Sequence, residues 1–289
     1  MPTAPAEPWT TRRLLQWIGG ALAERGIDSP RLCAEMLVSH VIGCERLRLY
    51  MDPDRPAAPD ERDTLRDLVR RALTHEPIQH LVGEAWFFGL PFNSDGRALV
   101  PRPSTETIVE HVLQLARSET VDRVADVCTG SGCIAIALAK NLPGATIIAS
   151  DISADALGLA RENAERHGVS DRIELREGDL LAPLDGEAPF AALVANPPYI
   201  PDHEWEAVEP NVKDHEPTLA LRGGADGLDL VRPLIEGASA LLRPGGILAV
   251  EVAACHTEDA RTIAASSFDD VRVLKDVDGL DRVVIGRAR

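Results

Sequence analysis

The most chemically specific run in the chain is Asn196-Pro197-Pro198-Tyr199, which follows directly on the apolar segment Phe190–Ala195. Consecutive prolines fix φ and withdraw N–H donors, so they hold a backbone corner that can offer carbonyl oxygens to a ligand. Asn196 adds a side-chain carbonyl. Two acceptors aimed at one NH₂ group can hold both its hydrogens, orient its nitrogen toward an electrophilic carbon and favour the charge that grows during attack. Tyr199 would stack on a planar group. Such a corner suits a planar, weakly nucleophilic nitrogen, either a carboxamide or the exocyclic amine of a base. The plainer alternative is a proline-rich loop after a buried strand, because Pro-Pro pairs mark loops generally.

Upstream, the run from Val124 through Asp126, Cys128, Thr129, Gly130, Ser131 and Gly132 to Cys133 places two glycines at a strand-to-helix turn. Without Cβ atoms the backbone there can approach a ligand closely, and a helix N-terminus at that point favours a carboxylate. Asp126 suits an ammonium. Asp151, followed by Ile152, closes the next apolar run about 20 residues on, where dinucleotide folds place the acid that grips ribose hydroxyls. Asp179 is placed to accept from an adenine amino group, with Leu180 packing on the ring. Taken singly, these residues read as a tight turn, a helix cap and a loop. Jointly their spacing points to S-adenosyl-L-methionine as cofactor, since so short a glycine loop fits one ammonium and one carboxylate better than a pyrophosphate.

Other candidates carry less. Cys128 and Cys133 flank the glycine loop without a second Cys/His pair, so packing is expected there and no metal. His203 and His215 read as surface or hydrogen-bonding residues, and the acidic stretch Asp202 to Glu216 as a solvated face. Arg102 to Glu106 either closes over the cofactor or starts a helix, with Ser104 as cap and Glu106 in the first turn.

The elements that must position these groups form two textures. Amphipathic helices are expected over 10–25, from Ser29-Pro30 with Ser29 as N-cap, and from about Asp60, a helical bundle spanning 1–80. Trp86 to Phe92 and Arg97 to Val100 read as strands around Ser94-Asp95-Gly96, a hairpin linker within 81–103. Over 104–289 short apolar runs alternate with helical patterns, the mark of an α/β domain with a parallel sheet. Strands are expected at 122–128, 145–150, 172–176, 190–195, 246–252, 271–275 and 281–286, and helices at 104–118, 132–141, 153–168 and 226–242. The last two strands, joined by the turn at Asp276 to Gly279, should pair antiparallel.

With 289 residues, a net charge of −16 and 45% apolar residues, the chain is long enough for a large domain plus a small one, and its charge disfavours stable nucleic-acid or anionic-membrane binding. Five scattered cysteines suit a reducing cytoplasm rather than a disulfide framework. Arg12-Arg13 followed by Leu14 to Ala23 mimics a signal peptide, but Gln16 and Gly19-Gly20 interrupt it and its apolar residues recur at helical spacing. No uncharged run approaches the ~18 apolar residues of a membrane span.

These motifs resemble a known family. The run Asp126 to Gly132, Asp151 and Asn196 to Tyr199 resemble the seven-stranded, Rossmann-like S-adenosyl-L-methionine-dependent methyltransferases that modify amide or amino nitrogens. The segments Pro77 to His80, Phe88 to Phe92, Val100 to Glu106, Glu216-Pro217, Gly223 to Leu228 and Gly279 to Val284 are similar, more closely, to protein-(glutamine-N5) methyltransferases of the HemK type. That resemblance implies methylation of the glutamine in the Gly-Gly-Gln motif of peptide chain release factors, with S-adenosyl-L-homocysteine as product and the helical front as substrate-recognition domain. By position it assigns the glutamine amide to Asn196 and the Pro197 carbonyl, stacking to Tyr199, and cofactor contacts to Cys128 through Gly132, Asp151, Leu180 and Asn196. Cys128 in place of a glycine, and the run Ala85 to Gly89, are similar to a sister branch that modifies a large-subunit ribosomal protein. Ser104 and Glu251-Val252-Ala253 also depart from the release-factor pattern. A base amine in DNA or RNA remains a further alternative, because the same corner serves a flipped base.

Overall fold

Leu14, Ile18 and Leu22 recur every four residues, and the computed structural model, which describes residues 8–187 and 189–289, buries all three along helix α1 (Thr11–Glu24). Thr10 caps it, its hydroxyl accepting the Arg13 N–H at 3.4 Å. Helices α2 (Pro30–Ile42), α3 (Arg48–Met51), α4 (Pro59–Ala72) and α5 (Ile78–Val82) add Leu37, Leu49, Leu65 and Leu81 to the same apolar cluster. In α4, Pro59 takes the first turn and the Glu61 carboxylate accepts the Ala58 N–H at 2.8 Å. Ser29 does not cap α2 as expected. Its φ is +48° and its side chain makes no capping bond, so the preset φ of Pro30 starts that helix.

The chain divides after Gly83 into two compact units, the first of which also takes in Pro210–His215. Within that first unit the His215 Nε2 lies 3.1 Å from the Thr74 carbonyl oxygen. The second unit begins with a hairpin of β1 (Glu84–Phe87) and β2 (Leu90–Asn93). Its turn is Phe88-Gly89, at φ +50° and +72°, not Ser94-Asp95-Gly96, and Arg97–Val100 forms no strand. A two-residue hairpin needs two left-handed residues in succession, and Phe88-Gly89 supplies them. Asn163, fully buried, fastens the end of β2: its Oδ1 accepts the Asn93 N–H at 2.7 Å and its Nδ2 donates to the Ser131 carbonyl at 3.0 Å.

After α6 (Glu106–Leu115) come β3 (Arg123–Val127), α7 (Cys133–Asn141), β4 (Thr146–Asp151), α8 (Ala154–Arg166), β5 (Ile173–Glu177) and β6 (Phe190–Ala195). The short α9 (Pro210–Lys213) lies in the segment that joins the first unit. Then follow α10 (Val231–Ala238), β7 (Leu242–Glu251), α11 (Thr257–Ala265), β8 (Phe268–Lys275) and β9 (Asp281–Ala288). The sheet runs β5-β4-β3-β6-β7-β9-β8, parallel through β7, with β9 antiparallel to both its neighbours. Successive strand residues face opposite sides, so Val124, Ile147 and Val194 join one core while Ala125, Ile148 and Leu193 join the other.

In the second unit two helices differ from expectation. The one expected over 226–242 covers only Val231–Ala238, because residues 223–227 form a glycine-rich loop and β7 already starts at Leu242. Helix α11 was not legible at all: it buries Thr257, Ala260 and Ala264, small or polar residues that leave little apolar periodicity.

Candidate active site

Strand order reverses between β3 and β6, and an α/β sheet opens a crevice outside its strand ends at such a reversal. A cleft of about 1060 Å³, counted out to its open mouth, lies there, walled by residues 127–131 after β3, 150–153 after β4, 178–180 after β5, and Asn196 and Pro198 after β6. Pro101, Arg102 and Thr105 complete one side. It thus brings together Cys128, Thr129, Gly130, Ser131, Asp151, Ile152, Asp179, Leu180, Asn196 and Pro198 from the sequence expectation.

At one end the main chain is bent into an unusual shape. Cys128, Gly130, Gly132 and Leu180 have φ of +59°, +55°, +81° and +44°. For Cys128 and Leu180 that region costs on the order of 1–2 kcal/mol, strain of the kind that collects at ligand sites. At Gly132 a Cβ would crowd the Ala160 Cβ at 3.1 Å, so α8 packs close against the loop there. The Asp151 carboxylate accepts the N–H groups of Gly130 and Ser153, both at 2.9 Å. Burial pushes its pKa up, and those backbone bonds hold it down. The Ser131 and Ser150 hydroxyls are buried and line the cleft, and Ser150 has no hydrogen-bond partner among the described residues, which fits a polar ligand there.

Asp126 is placed differently from expectation. It is fully buried and absent from the cleft wall; its Oδ2 accepts the Thr129 hydroxyl at 2.6 Å and the Ala135 N–H at 3.1 Å. Through that oxygen it ties the glycine loop to α7, while its Oδ1 has no hydrogen-bond partner among the described residues. Burial raises its pKa to about 7. The Cys133 thiol is likewise pushed up to about 12 by burial, which keeps it protonated and unreactive.

At the other end Asn196 donates through Nδ2 to the Thr105 Oγ1 at 3.1 Å. Pro197 and Tyr199, expected at the amide site, stand outside the cleft wall. The Tyr199 hydroxyl donates to Glu251 at 3.3 Å, and burial pushes its pKa up. A glycine strap holds the same corner from behind. The Ile200 N–H donates to Leu221 and the Gly223 N–H to Ile200, each at 2.9 Å. A Cβ on Gly223 would lie 2.7 Å from the Tyr199 Cα and 2.9 Å from the Pro198 oxygen, so only glycine fits.

Residues 102–106 lead into α6 and border the cleft. Pro103–Thr105 is a single 3-10 turn leading into α6, while Arg102 and Thr105 line the cleft. Ser104 lies 3.4 Å from Glu251 instead of capping, and Glu106 accepts the Phe88 N–H at 2.6 Å. Glu216 accepts the Val100 N–H at 3.1 Å and pairs with Arg102. Thr105 and Glu251 escaped notice as site residues because their partners lie 91 and 52 residues away.

Sheet order and cleft define a methyltransferase fold. The hMettl16 catalytic domain in complex with the MAT2A 3′UTR hairpin 6 matches with a TM-score of 0.55 at 17% identity, covering 78% of this chain and 81% of that one. The T. thermophilus 16S rRNA N2 G1207 methyltransferase RsmC, in complex with AdoMet and guanosine, matches with a TM-score of 0.51 at 18% identity, covering 71% of this chain and 50% of that one. At such identities the fold is what is shared. Family models match residues 13–83, as the PrmC N-terminal domain, and residues 103–215, as the methyltransferase small domain. The protein named release factor glutamine methyltransferase in Chlorobaculum tepidum is 43% identical over 282 residues, 95% of this chain and 96% of the relative. That of Geobacter sulfurreducens is 43% identical over 286 residues, 99% of each chain. The chain belongs to the release factor glutamine methyltransferase family.

Proposed function

We propose that this protein transfers the methyl group of S-adenosyl-L-methionine to the side-chain amide nitrogen of a glutamine in a translation protein, the Gly-Gly-Gln motif of a peptide chain release factor, releasing S-adenosyl-L-homocysteine. The observation that carries this reading is the Asn196 side chain: its Nδ2 is tied to Thr105, so its carbonyl is left to accept, in the same cleft as Asp151 and the glycine loop.

Bound there, S-adenosyl-L-methionine supplies a methyl group on a positively charged sulfur. Both Asp151 oxygens keep lone pairs beyond their backbone bonds, enough to accept ribose hydroxyls. Ser131 and Ser150 offer hydroxyls to the cleft, the N-terminus of α7 favours a carboxylate, and Leu180 offers an apolar face to the adenine beside Asp179. Asn196 Oδ1 accepts a hydrogen of the substrate amide, aiming its nitrogen and stabilising the charge that grows on it. In this reading the helical first unit recognises the substrate. A cytoplasmic setting is supported by five free cysteines, and no helix among the described residues is long and apolar enough to cross a membrane.

The test offers labelled cofactor separately to purified release factor, ribosomal protein, DNA and RNA. Label on the release-factor glutamine is expected; label on the ribosomal protein instead moves the substrate to the sister branch, and label on nucleic acid alone would falsify the protein-substrate reading. Asn196→Ala should lower turnover by roughly 10²-fold or more while cofactor Kd stays within a few-fold, because the lost contact acts on the transition state. Parallel loss of both would assign Asn196 to cofactor binding.

A further inference from the structure

We infer that Arg102 is the anchor for the α-carboxylate of the cofactor, held in place for it by Glu216; this rests on the cofactor of the reading above and not on its substrate. S-adenosyl-L-methionine carries a carboxylate besides its ammonium and sulfonium. Among the described residues the charged lining of the cleft is Asp151, Asp179, Arg97 and Arg102. Bringing a carboxylate in beside two acids costs free energy unless a cation meets it. The first turn of α7 supplies only part of that, because its Ala135 N–H already goes to Asp126 at 3.1 Å.

Of the two arginines, Arg97 is spent. Its Nε and Nη2 donate to Asp95 and its Nη1 and Nη2 to Glu162, all within 3.1 Å. Arg102 gives Nη2 to Glu216 and has no other hydrogen-bond partner among the described residues, so the N–H groups of Nε and Nη1 stay available. Glu216 fixes that guanidinium: its side chain is 1% exposed, and it also accepts the Val100 N–H at 3.1 Å, which ties it to the main chain just before Arg102. A guanidinium tethered at one corner still presents a planar fork, the shape that matches a carboxylate with two bonds at once. Thr105, on the same stretch of wall, accepts from Asn196 at 3.1 Å, so Arg102 stands beside the place where the methyl group must be delivered. A cofactor with its base by Leu180 and its sulfur toward Asn196 brings its amino-acid tail to Arg102.

The test measures Kd by calorimetry for S-adenosyl-L-homocysteine and for its decarboxylated analogue, which keeps the ammonium, in the parent protein, Arg102→Gln and Arg102→Lys. The parent should prefer S-adenosyl-L-homocysteine by about 10- to 100-fold, the scale of hydrogen bonds between charged groups. Arg102→Gln should lose that factor for S-adenosyl-L-homocysteine, while its Kd for the analogue stays within about twofold of the parent's. Arg102→Lys keeps a charge for Glu216 but no fork, and its preference should fall between the two. An unchanged Kd for S-adenosyl-L-homocysteine in Arg102→Gln would overturn the inference. So would equal weakening of both nucleosides, which marks damage to the cleft and not a lost carboxylate contact. Should Arg102→Gln fail to fold, Arg102→Lys decides, and an undiminished preference for the carboxylate-bearing nucleoside overturns the inference. No protein substrate enters these measurements, and a parent that bound neither nucleoside would overturn the cofactor reading and the inference with it.

Discussion

At the donor end of the cleft the main chain makes the site: Cys128, Gly130, Gly132 and Leu180 stand at positive φ, and backbone N–H groups organise Asp151. At the acceptor end side chains make it, with Asn196 bonded to Thr105, Tyr199 bonded to Glu251, and a glycine strap pressing the corner from behind. Backbone-built sites tolerate changed side chains so long as φ is kept. Side-chain networks fail at a single isosteric change, because an unpaired buried polar group costs more than the bond it made.

The largest test of that contrast is Gly223→Ala, whose Cβ would meet three backbone atoms at 2.7–2.9 Å and push the Pro198–Tyr199 corner out of place. Turnover should fall at least 10²-fold with cofactor Kd within about threefold, read by steady-state kinetics and calorimetry. Loss of cofactor affinity on the same scale would mean that the two ends are not separable.

Asp126→Asn comes next. The Asp126 carboxyl titrates near 7 in the folded protein against 3.8 for an unperturbed group, so the folded state holds that proton more tightly. Its contribution to stability therefore falls as pH rises from about 4 to about 7 and is flat above. The asparagine variant should match the parent near pH 4 and exceed it by up to about 4 kcal/mol at pH 8 in urea titrations, with cofactor Kd little changed. A variant weaker in cofactor binding and no more stable at pH 8 would return Asp126 to the ligand.

Asp151→Asn should raise cofactor Kd by roughly tenfold, the scale of one hydrogen bond to a charged group, with kcat at saturating cofactor nearly unchanged. A change in kcat alone would break the division of roles. The smallest effect belongs to Cys128. Cys128→Gly should stay within about 1 kcal/mol of the parent, because relief of left-handed strain offsets lost packing, while β-branched Cys128→Val falls below both. Equal stability of the two variants would show that φ at this position is not the constraint.

How much of this was legible before the fold is clearest at particular residues. The parallel strands, the glycine loop, Asp151 and the Asn196 corner could be read because each is local: a short apolar run, a turn, a residue at a strand end. The hairpin was misplaced because Ser94-Asp95-Gly96 looks like a better turn than Phe88-Gly89, and a phenylalanine at φ +50° is unexpected on propensity. Asp126 and Tyr199 are legible as polar groups near strand ends, but their bonds to Thr129 and Ala135 and to Glu251 are set by the fold. Thr105 and Glu251 were invisible as partners of Asn196 and Tyr199, being brought there only by α6 and β7.

Asn163 has one more consequence. Because a single buried amide clasps both the Asn93 backbone and the Ser131 carbonyl, whatever quiets the loop must quiet the strand end as well. Deuterium uptake at Asn93, outside the cleft, should slow when the nucleoside arrives, making that hairpin a sentinel for occupancy.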